Sequence, residues 1–227
     1  METLKRHNKK LISLLIRLVG KGATLELTLG LKVYRVINII GVDEAGRGPL
    51  VGNVVAAAVI FPSNFYIEGL TDSKKLSEKK RDDFYLQITN QCFWTVGEAT
   101  SIEIDQINIL EATMLAMTRA INKLQYQLLS QNKNEVFRVL IDGNRCPDVD
   151  NCCAIVKGDL TEPVISAASV IAKVTRDRQM KELCLRFPEY GFKNHKGYGT
   201  KEHLIALSKY GPIDGQHRRT FAPIKNL

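Results

Sequence analysis

The sequence predicts an α/β protein made of one good-sized domain. Three observations carry this. Short apolar, β-branched segments alternate with longer stretches whose apolar residues recur at helical spacing. Three of the apolar segments close on carboxylates: Asp43-Glu44, Asp142 and Asp159. The chain's 227 residues, 44% apolar and 25% charged, suit one core with a small appendage. Residues 1–38 read as a basic N-terminal extension and residues 39–227 as the main domain.

The elements follow in chain order. Residues 11–19, LISLLIRLV, come after Lys5, Arg6, Lys9 and Lys10 and predict a short amphipathic helix ended by Gly20. The run is far shorter than the roughly 20 residues that span a bilayer. Arg17 inside it, and the lack of a small-x-small cleavage site, argue against a signal peptide. In residues 24–33, Leu25, Leu27, Leu29, Leu31 and Val33 share one face, the period of a strand that could pair with the next one. VYRVINIIGVD is a core strand ending at Asp43, and VVAAAVIF, residues 54–61, is a second strand stopped by Pro62. Ser77 caps a helix with Phe84, Tyr85 and Ile88 on its inner face and Lys79-Lys80-Arg81 on a solvated one. Residues 92–99 form another strand. A helix starts after Asn108, which stands at capping-box distance from Glu111. Its stripe of Leu110, Met114, Met117, Ile121, Leu124 and Leu128 is core packing. FRVLID, residues 137–142, and CAIVKGD, residues 153–159, are further apolar segments that end on acids. A long helix runs from about residue 166 to 186. A last helix runs from the cap Thr200 to Tyr210, where Gly211-Pro212 ends it.

Charge and cysteine usage narrow the partners. The net charge is +8, but residues 1–38 hold eight Lys/Arg against two Asp/Glu, so the remainder carries only +2. A basic balance favours anionic partners. The five cysteines, Cys92, Cys146, Cys152, Cys153 and Cys184, contain no C-x-x-C pair, which speaks against zinc. They read as reduced thiols of a cytoplasmic protein.

Four acids closing separate core segments are the main chemical signal. Functional groups gather at the C-terminal ends of strands in α/β sheets. Four clustered carboxylates oppose one another unless protons or cations intervene. Hard divalent ions take such oxygen ligands and leave room for water or phosphate. Two of them would balance the four charges and suit phosphodiester hydrolysis. The four histidines are scattered and form no H-E-x-x-H, and neither G-x-S-x-G nor a Walker A string occurs. Asp43 and Glu44 are neighbours on one strand, so they can share a metal site only where that strand ends and twists away. Gly46 and Gly48 permit the change of direction and the close approach of a ligand to the backbone.

The strings GVDEAGRGPLVGNVVAAAVI, DSKKLSEKKR, INILEATMLAM, LIDGNRCP, VKGD, ISAASVIAKVTRD, YGFKNHKGYGT and HRRTFAPIK occur in this order between about residues 39 and 225. Together they resemble bacterial ribonuclease HII. The resemblance implies a ribonuclease H-like fold: a mixed sheet flanked by helices, with a helical C-terminal portion. It implies an endonuclease dependent on Mg²⁺ or Mn²⁺, two ions during catalysis, that cuts RNA in RNA–DNA hybrids. It implies incision 5′ to a ribonucleotide embedded in duplex DNA, leaving 5′-phosphate and 3′-hydroxyl ends. Asp43, Glu44, Asp142 and Asp159 match the catalytic and metal-binding acids. Gly46, Arg47 and Gly48 match the segment that reads the ribose 2′-hydroxyl and its phosphate, the 2′-hydroxyl being what separates RNA from DNA. Tyr198 matches the tyrosine that senses the sugar. Ser73, Lys74, Lys75, Lys173 and Arg176 match phosphate contacts, which position a duplex without reading its sequence. Asn144 and Arg145 shape the site, and Cys146 is structural.

The family's members have a short stretch before the first acid, whereas 42 residues precede Asp43 here. Either the extension adds basic charge for duplex binding, or translation starts later at a non-Met codon. No Met lies between Met1 and Met114. A native peptide from residues 1–10 would exclude the late start. The expected state is a cytoplasmic monomer with no membrane partner. The C-terminus carries no motif for a replication clamp. Two rivals stand beside this reading. A ribonuclease HIII-like enzyme would need longer RNA runs, and an inactive nucleic-acid-binding relative would lack one of the acids.

Overall fold

The computed structural model describes residues 23–26, 35–130 and 136–226. The helix expected at residues 11–19 and most of the strand expected at 24–33 lie outside them. Six strands form one sheet: β1 (Ala23–Glu26), β2 (Arg35–Ala45), β3 (Val54–Ile60), β4 (Phe93–Ala99), β5 (Val136–Asp142) and β6 (Cys152–Ile155). The helices are α1 (Glu78–Gln91), α2 (Ser101–Leu129), α3 (Gly158–Thr161), α4 (Pro163–Arg186), α5 (Phe192–His195) and α6 (Lys201–Tyr210). The strand order is β4-β3-β2-β5-β6. The pairs β4–β3 and β3–β2 are antiparallel, and β2–β5 and β5–β6 are parallel. This is the mixed sheet expected. β1 pairs antiparallel with Arg35–Asn38 of β2.

The sheet packs against helices on both faces, and β3 is apolar at every position. All seven residues of β3, VVAAAVI, are buried. Val54, Ala56, Ala58 and Ile60 face a core shared with α2, where Met117, Ile121 and Leu124 pack. Ala57 and Val59 face a second core with Phe84 and Ile88 of α1 and Val170 and Ile171 of α4. Each fully buried Val or Ile contributes roughly 1.5–3 kcal/mol of transfer free energy. The alternation carries into β2 and β5. Ile40 and Val42 join the α2 side with Val139 and Ile141, while Ile39 and Leu140 join the α4 side. A third core lies under the C-terminal helices, around Leu50, Val51, Met180, Tyr190, Phe192 and Leu207.

Several expectations shift. The helix expected after Asn108 begins at Ser101, capped by Thr100 and Glu103 in a full capping box. Asn108 has φ 66° and kinks that helix, and its Oδ1 accepts from the amides of Leu110 and Glu111. Asn108 is therefore a cap, but within a longer helix, and Leu110 beside the kink is part-exposed. The segment CAIVKGD is a strand only to Ile155. Lys157 turns left-handed at φ 59°, and Asp159 sits on the short helix α3. Arg81 is no solvated residue: its Nη1 donates to the carbonyls of Ser73 (3.0 Å) and Leu76 (2.5 Å). Cys146 and Cys152 are joined by a disulfide with their Cα atoms 6.1 Å apart, so two of the five cysteines are not reduced thiols. The bond ties the loop after β5 to the start of β6, two segments brought side by side by the parallel pairing of those strands.

Candidate functional site

The acids assemble because the sheet places their strands side by side. Asp43 continues the Ile39 side of β2 and Asp142 the Leu140 side of β5, so both point towards α4. Asp159 reaches the same place from α3, and its amide donates to Asp142 Oδ1 at 3.3 Å. Carboxylate oxygens of Asp43, Asp142 and Asp159 lie within 4.8 Å of one another. Glu44 stands outside this group. β2 does not end at Asp43 but pairs with β3 up to Ala45, and Glu44 stands beside the trio, close enough for Asp142 to raise it. It meets Arg47 Nη1 at 3.4 Å, a part-exposed contact worth about 0–1 kcal/mol.

Electrostatics distinguish these acids from surface carboxylates. Burial, then repulsion from Glu44 and Asp142, drives Asp43 well above its usual range, although the Ser169 hydroxyl hydrogen-bonds it and opposes the rise. Glu44 is raised by burial, with Arg47 opposing and Asp142 adding to the rise. Asp159 is raised by burial and by Asp142 and Asp72, against Lys74 and Lys75. Burial works to lower Lys74, but Asp43, Asp72, Asp159 and Asp142 outweigh it and hold the ammonium above its usual range. Crowded, buried acids that raise one another fit a hard divalent cation, which takes oxygen ligands and relieves this repulsion.

Beside the acids lies a cleft of about 420 Å³. Its wall brings together Glu44, Gly46, Arg47, Gly48, Ser73, Lys74, Lys173, Arg176 and Tyr198, nine of the residues singled out in the sequence. Lys75 is exposed and is not part of that wall. Ser73 is buried, its hydroxyl 2.8 Å from that of Ser169. Lys173 pairs with Asp177 at 2.8 Å. Tyr198 is half-exposed, and a Cβ added at Gly48 would stand 3.3 Å from its ring. Arg145 pairs with Glu111 at 2.9 Å.

Arg176 departs from its expected part. It is buried, and its guanidinium donates to the carbonyls of Asn53, Lys196 and Val51 at 2.9–3.2 Å. Three of its five N–H donors thus support the loop. Gly46 has φ 98°, and a Cβ there would lie 2.0 Å from Arg176 Nε, so only glycine fits.

Arg218 was not singled out in the sequence, and it is fully buried. It donates to the carbonyls of Gly46 (2.6 Å), Arg47 (2.9 Å), Pro49 (2.8 Å) and Gly52 (2.8 and 3.0 Å). Burial, then repulsion from Arg176, brings it down to about 9. In a trans peptide the carbonyl of one residue and the amide of the next point in opposite directions. The carbonyls of Gly46 and Arg47 face Arg218, so the amides of Arg47 and Gly48 are turned away from it, on the exposed side of the loop.

Three of the four histidines, His195, His203 and His217, meet behind Tyr198, and His7 lies outside the described residues. His203 and His217 are buried, with Nε2 atoms 3.1 Å apart, and His195 stacks on His203 at 4.7 Å. Burial, then His203, lowers His217 to about 4, and burial lowers His203 as well. Between the ordinary value of 6.5 and about 4, the unfolded chain binds a proton that folded His217 refuses. Stability therefore falls as the pH drops through that window. Urea unfolding across it should show a shallower slope for His217→Asn than for the wild type.

Comparison with known proteins adds the following. Residues 40–224 match the family model described as Ribonuclease HII. The chain is 56% identical over 192 residues to a Ribonuclease HII of Polynucleobacter necessarius, covering 84% of this chain and 95% of that protein. Its fold is similar to ribonuclease H2 from Pyrococcus horikoshii, with a TM-score of 0.60 and 25% identity over 84% of this chain and 96% of that one. It is also similar to Bst-RNase HIII in complex with Mn²⁺, with a TM-score of 0.66 and 17% identity over 83% of this chain and 68% of that one. Among the described residues no helix is long and apolar enough to cross a membrane.

Proposed function

The chain belongs to the ribonuclease HII family, and on that premise we propose that it is a divalent-metal-dependent endoribonuclease. It hydrolyses the RNA strand of RNA–DNA hybrids and incises 5′ to ribonucleotides embedded in duplex DNA, leaving 5′-phosphate and 3′-hydroxyl ends. One observation carries the reading: three aspartate oxygens within 4.8 Å of one another, beside a cleft walled by Gly46, Gly48 and Tyr198.

Asp43, Asp142 and Asp159 would hold Mg²⁺ or Mn²⁺, with Glu44 as the fourth acid at the rim. Bound there, the ions supply an activated water and stabilise the leaving oxygen of the phosphodiester. The remaining tasks fall to the chain itself. Asp142 is held by the Asp159 amide and Asp43 by the Glu44 amide at 2.7 Å, so each acid is oriented before substrate arrives. The outward amides of Arg47 and Gly48 are the donors for a ribose 2′-hydroxyl and its phosphate, and the Arg47 guanidinium adds charge-assisted contact. Tyr198 lays its ring along the sugar at the RNA–DNA junction. Lys74 and Lys173 meet the phosphates. Residues 39–227 form the catalytic domain, and the basic residues 1–38 add attraction to the duplex. The protein acts in the cytoplasm as a monomer, in ribonucleotide removal and primer processing.

The test is a DNA duplex holding one ribonucleotide, incubated with Mg²⁺ or Mn²⁺. A single cut 5′ to the ribonucleotide is expected. No cut, or equal cutting of all-DNA duplex, would overturn the proposal. Tyr198→Ala should slow this cut by about tenfold or more, the worth of one aromatic contact. A wild-type rate would remove Tyr198 from sugar sensing.

A further inference from the structure

We propose that His203, His217 and Arg218 are positioning residues that lock Tyr198 against the glycine loop and so set selectivity for a ribonucleotide. The proposal rests on the function just given and adds to it the residues that hold the sensor in place.

Hydrogen-bond directions in the histidine cluster allow one assignment. The Ile213 amide donates to His217 Nδ1 at 2.8 Å, so His217 carries its proton on Nε2. That proton is given to His203 Nε2 at 3.1 Å. His203 therefore carries its proton on Nδ1, which donates to the Tyr198 carbonyl at 2.9 Å. A chain of fixed polarity thus runs from the Ile213 backbone to the backbone of Tyr198, through two buried imidazoles. His195 steadies the same strap, its Nδ1 accepting from the Gly197 amide at 3.2 Å.

The residue after His217 holds the other half of the sensor. Arg218 draws the carbonyls of Gly46, Arg47, Pro49 and Gly52 inward. Backbone pairing reinforces the junction: Arg218 to Leu50 at 2.9 Å, Gly52 to Gln216 at 2.8 Å, and Leu50 to Gly197 at 2.8 Å. Tyr198 and the glycine loop therefore hang from two adjacent residues. The gap between Gly48 and the Tyr198 ring, where a sugar would be read, is set by this pair. Among the described residues no contact joins the histidine pair to the three aspartates, so it acts on reading and not on the acids.

The test compares two variants of His203, each with Tyr198 intact and with Tyr198→Ala. The Asn amide nitrogen occupies the place of imidazole Nδ1, so His203→Asn keeps the donor to Tyr198. Gln reaches the place of Nε2, so His203→Gln loses that donor. On the single-ribonucleotide duplex, His203→Gln should lower kcat/KM by about tenfold, His203→Asn should recover most of it, and with Tyr198→Ala the Gln variant should lose nothing further. Equal losses in Asn and Gln, or an undiminished loss with Tyr198→Ala, would overturn the proposal. If His203→Gln does not fold, His217→Asn, which loses the Nε2 donor to His203, is measured in the same two backgrounds, with His217→Gln, which keeps that donor, as the conservative variant. Amide hydrogen exchange separates this proposal from the function beneath it. Faster exchange at Leu50 and Tyr198 in His203→Gln but not in His203→Asn supports the positioning role even if the wild type leaves this duplex uncut, an outcome that would sink the proposed function alone. Unchanged exchange in both variants sinks the positioning role.

Discussion

Asp43→Asn should abolish cutting, by on the order of a thousandfold or more, while making the metal-free protein more stable at neutral pH. The loss follows from removing one of three converging carboxylates, at a centre where charge stabilisation is worth several kcal/mol. The gain follows from burial and from Glu44 and Asp142, which push Asp43 above its ordinary 3.8. A raised carboxylate binds its proton more tightly in the folded state than in the unfolded chain. Folding stability therefore falls as pH climbs from about 3.8 through the folded value, and Asn escapes that fall. The melting temperature should rise by about 2–4 °C for each kcal/mol relieved. Mn²⁺ should raise the wild-type melting temperature and leave the variant's nearly unchanged. Wild-type turnover, or a variant less stable than the wild type in chelator at pH 7, would contradict this account of the site.

Arg218→Met should destabilise the protein by about 3–5 kcal/mol, read as the shift in urea midpoint at constant slope. Methionine is of similar length and spares the desolvation of a charge. It nevertheless leaves the carbonyls of Gly46, Arg47, Pro49 and Gly52 buried without their donor, and unsatisfied buried acceptors cost about 1–3 kcal/mol each before relaxation. Arg218→Lys should recover little, since one ammonium cannot span the places a planar guanidinium reaches. A loss below about 1 kcal/mol for either variant would show that the loop holds its shape without Arg218.

Much of this architecture was legible in the sequence because its signals are local. Ser77 and Thr200 cap their helices as their positions suggest. The stripe from Met114 to Leu128 packs inward. Asp43 and Asp142, each closing an apolar run in the sequence, lie on adjoining parallel strands. What stayed hidden depends on distant pairing. Arg218 looks like any basic residue until a loop 166 positions earlier supplies its acceptors. His203 and His217 are 14 residues apart and meet only when the C-terminal segment folds back. Arg81 stands in a run of three basic residues that resembles a solvated face, and only the turn at Ser73 reveals its task. The place of Glu44 depended on how far β2 continues, which pairing with β3 decides. The start of α2 was missed because Asn108 offers the same capping chemistry as Thr100, eight residues earlier.

The separation of Arg218 from the loop it holds also orders events in time. The chain is synthesised from its N-terminus. Asp43, Asp142 and Asp159 have all left the ribosome dozens of residues before His217 and Arg218 do. On the proposed function, a growing chain would hold its three aspartates before it owns the clasp proposed to tell ribose from deoxyribose. Long-range contacts are also the slow ones to form. On that function, discrimination would be the last ability to be completed.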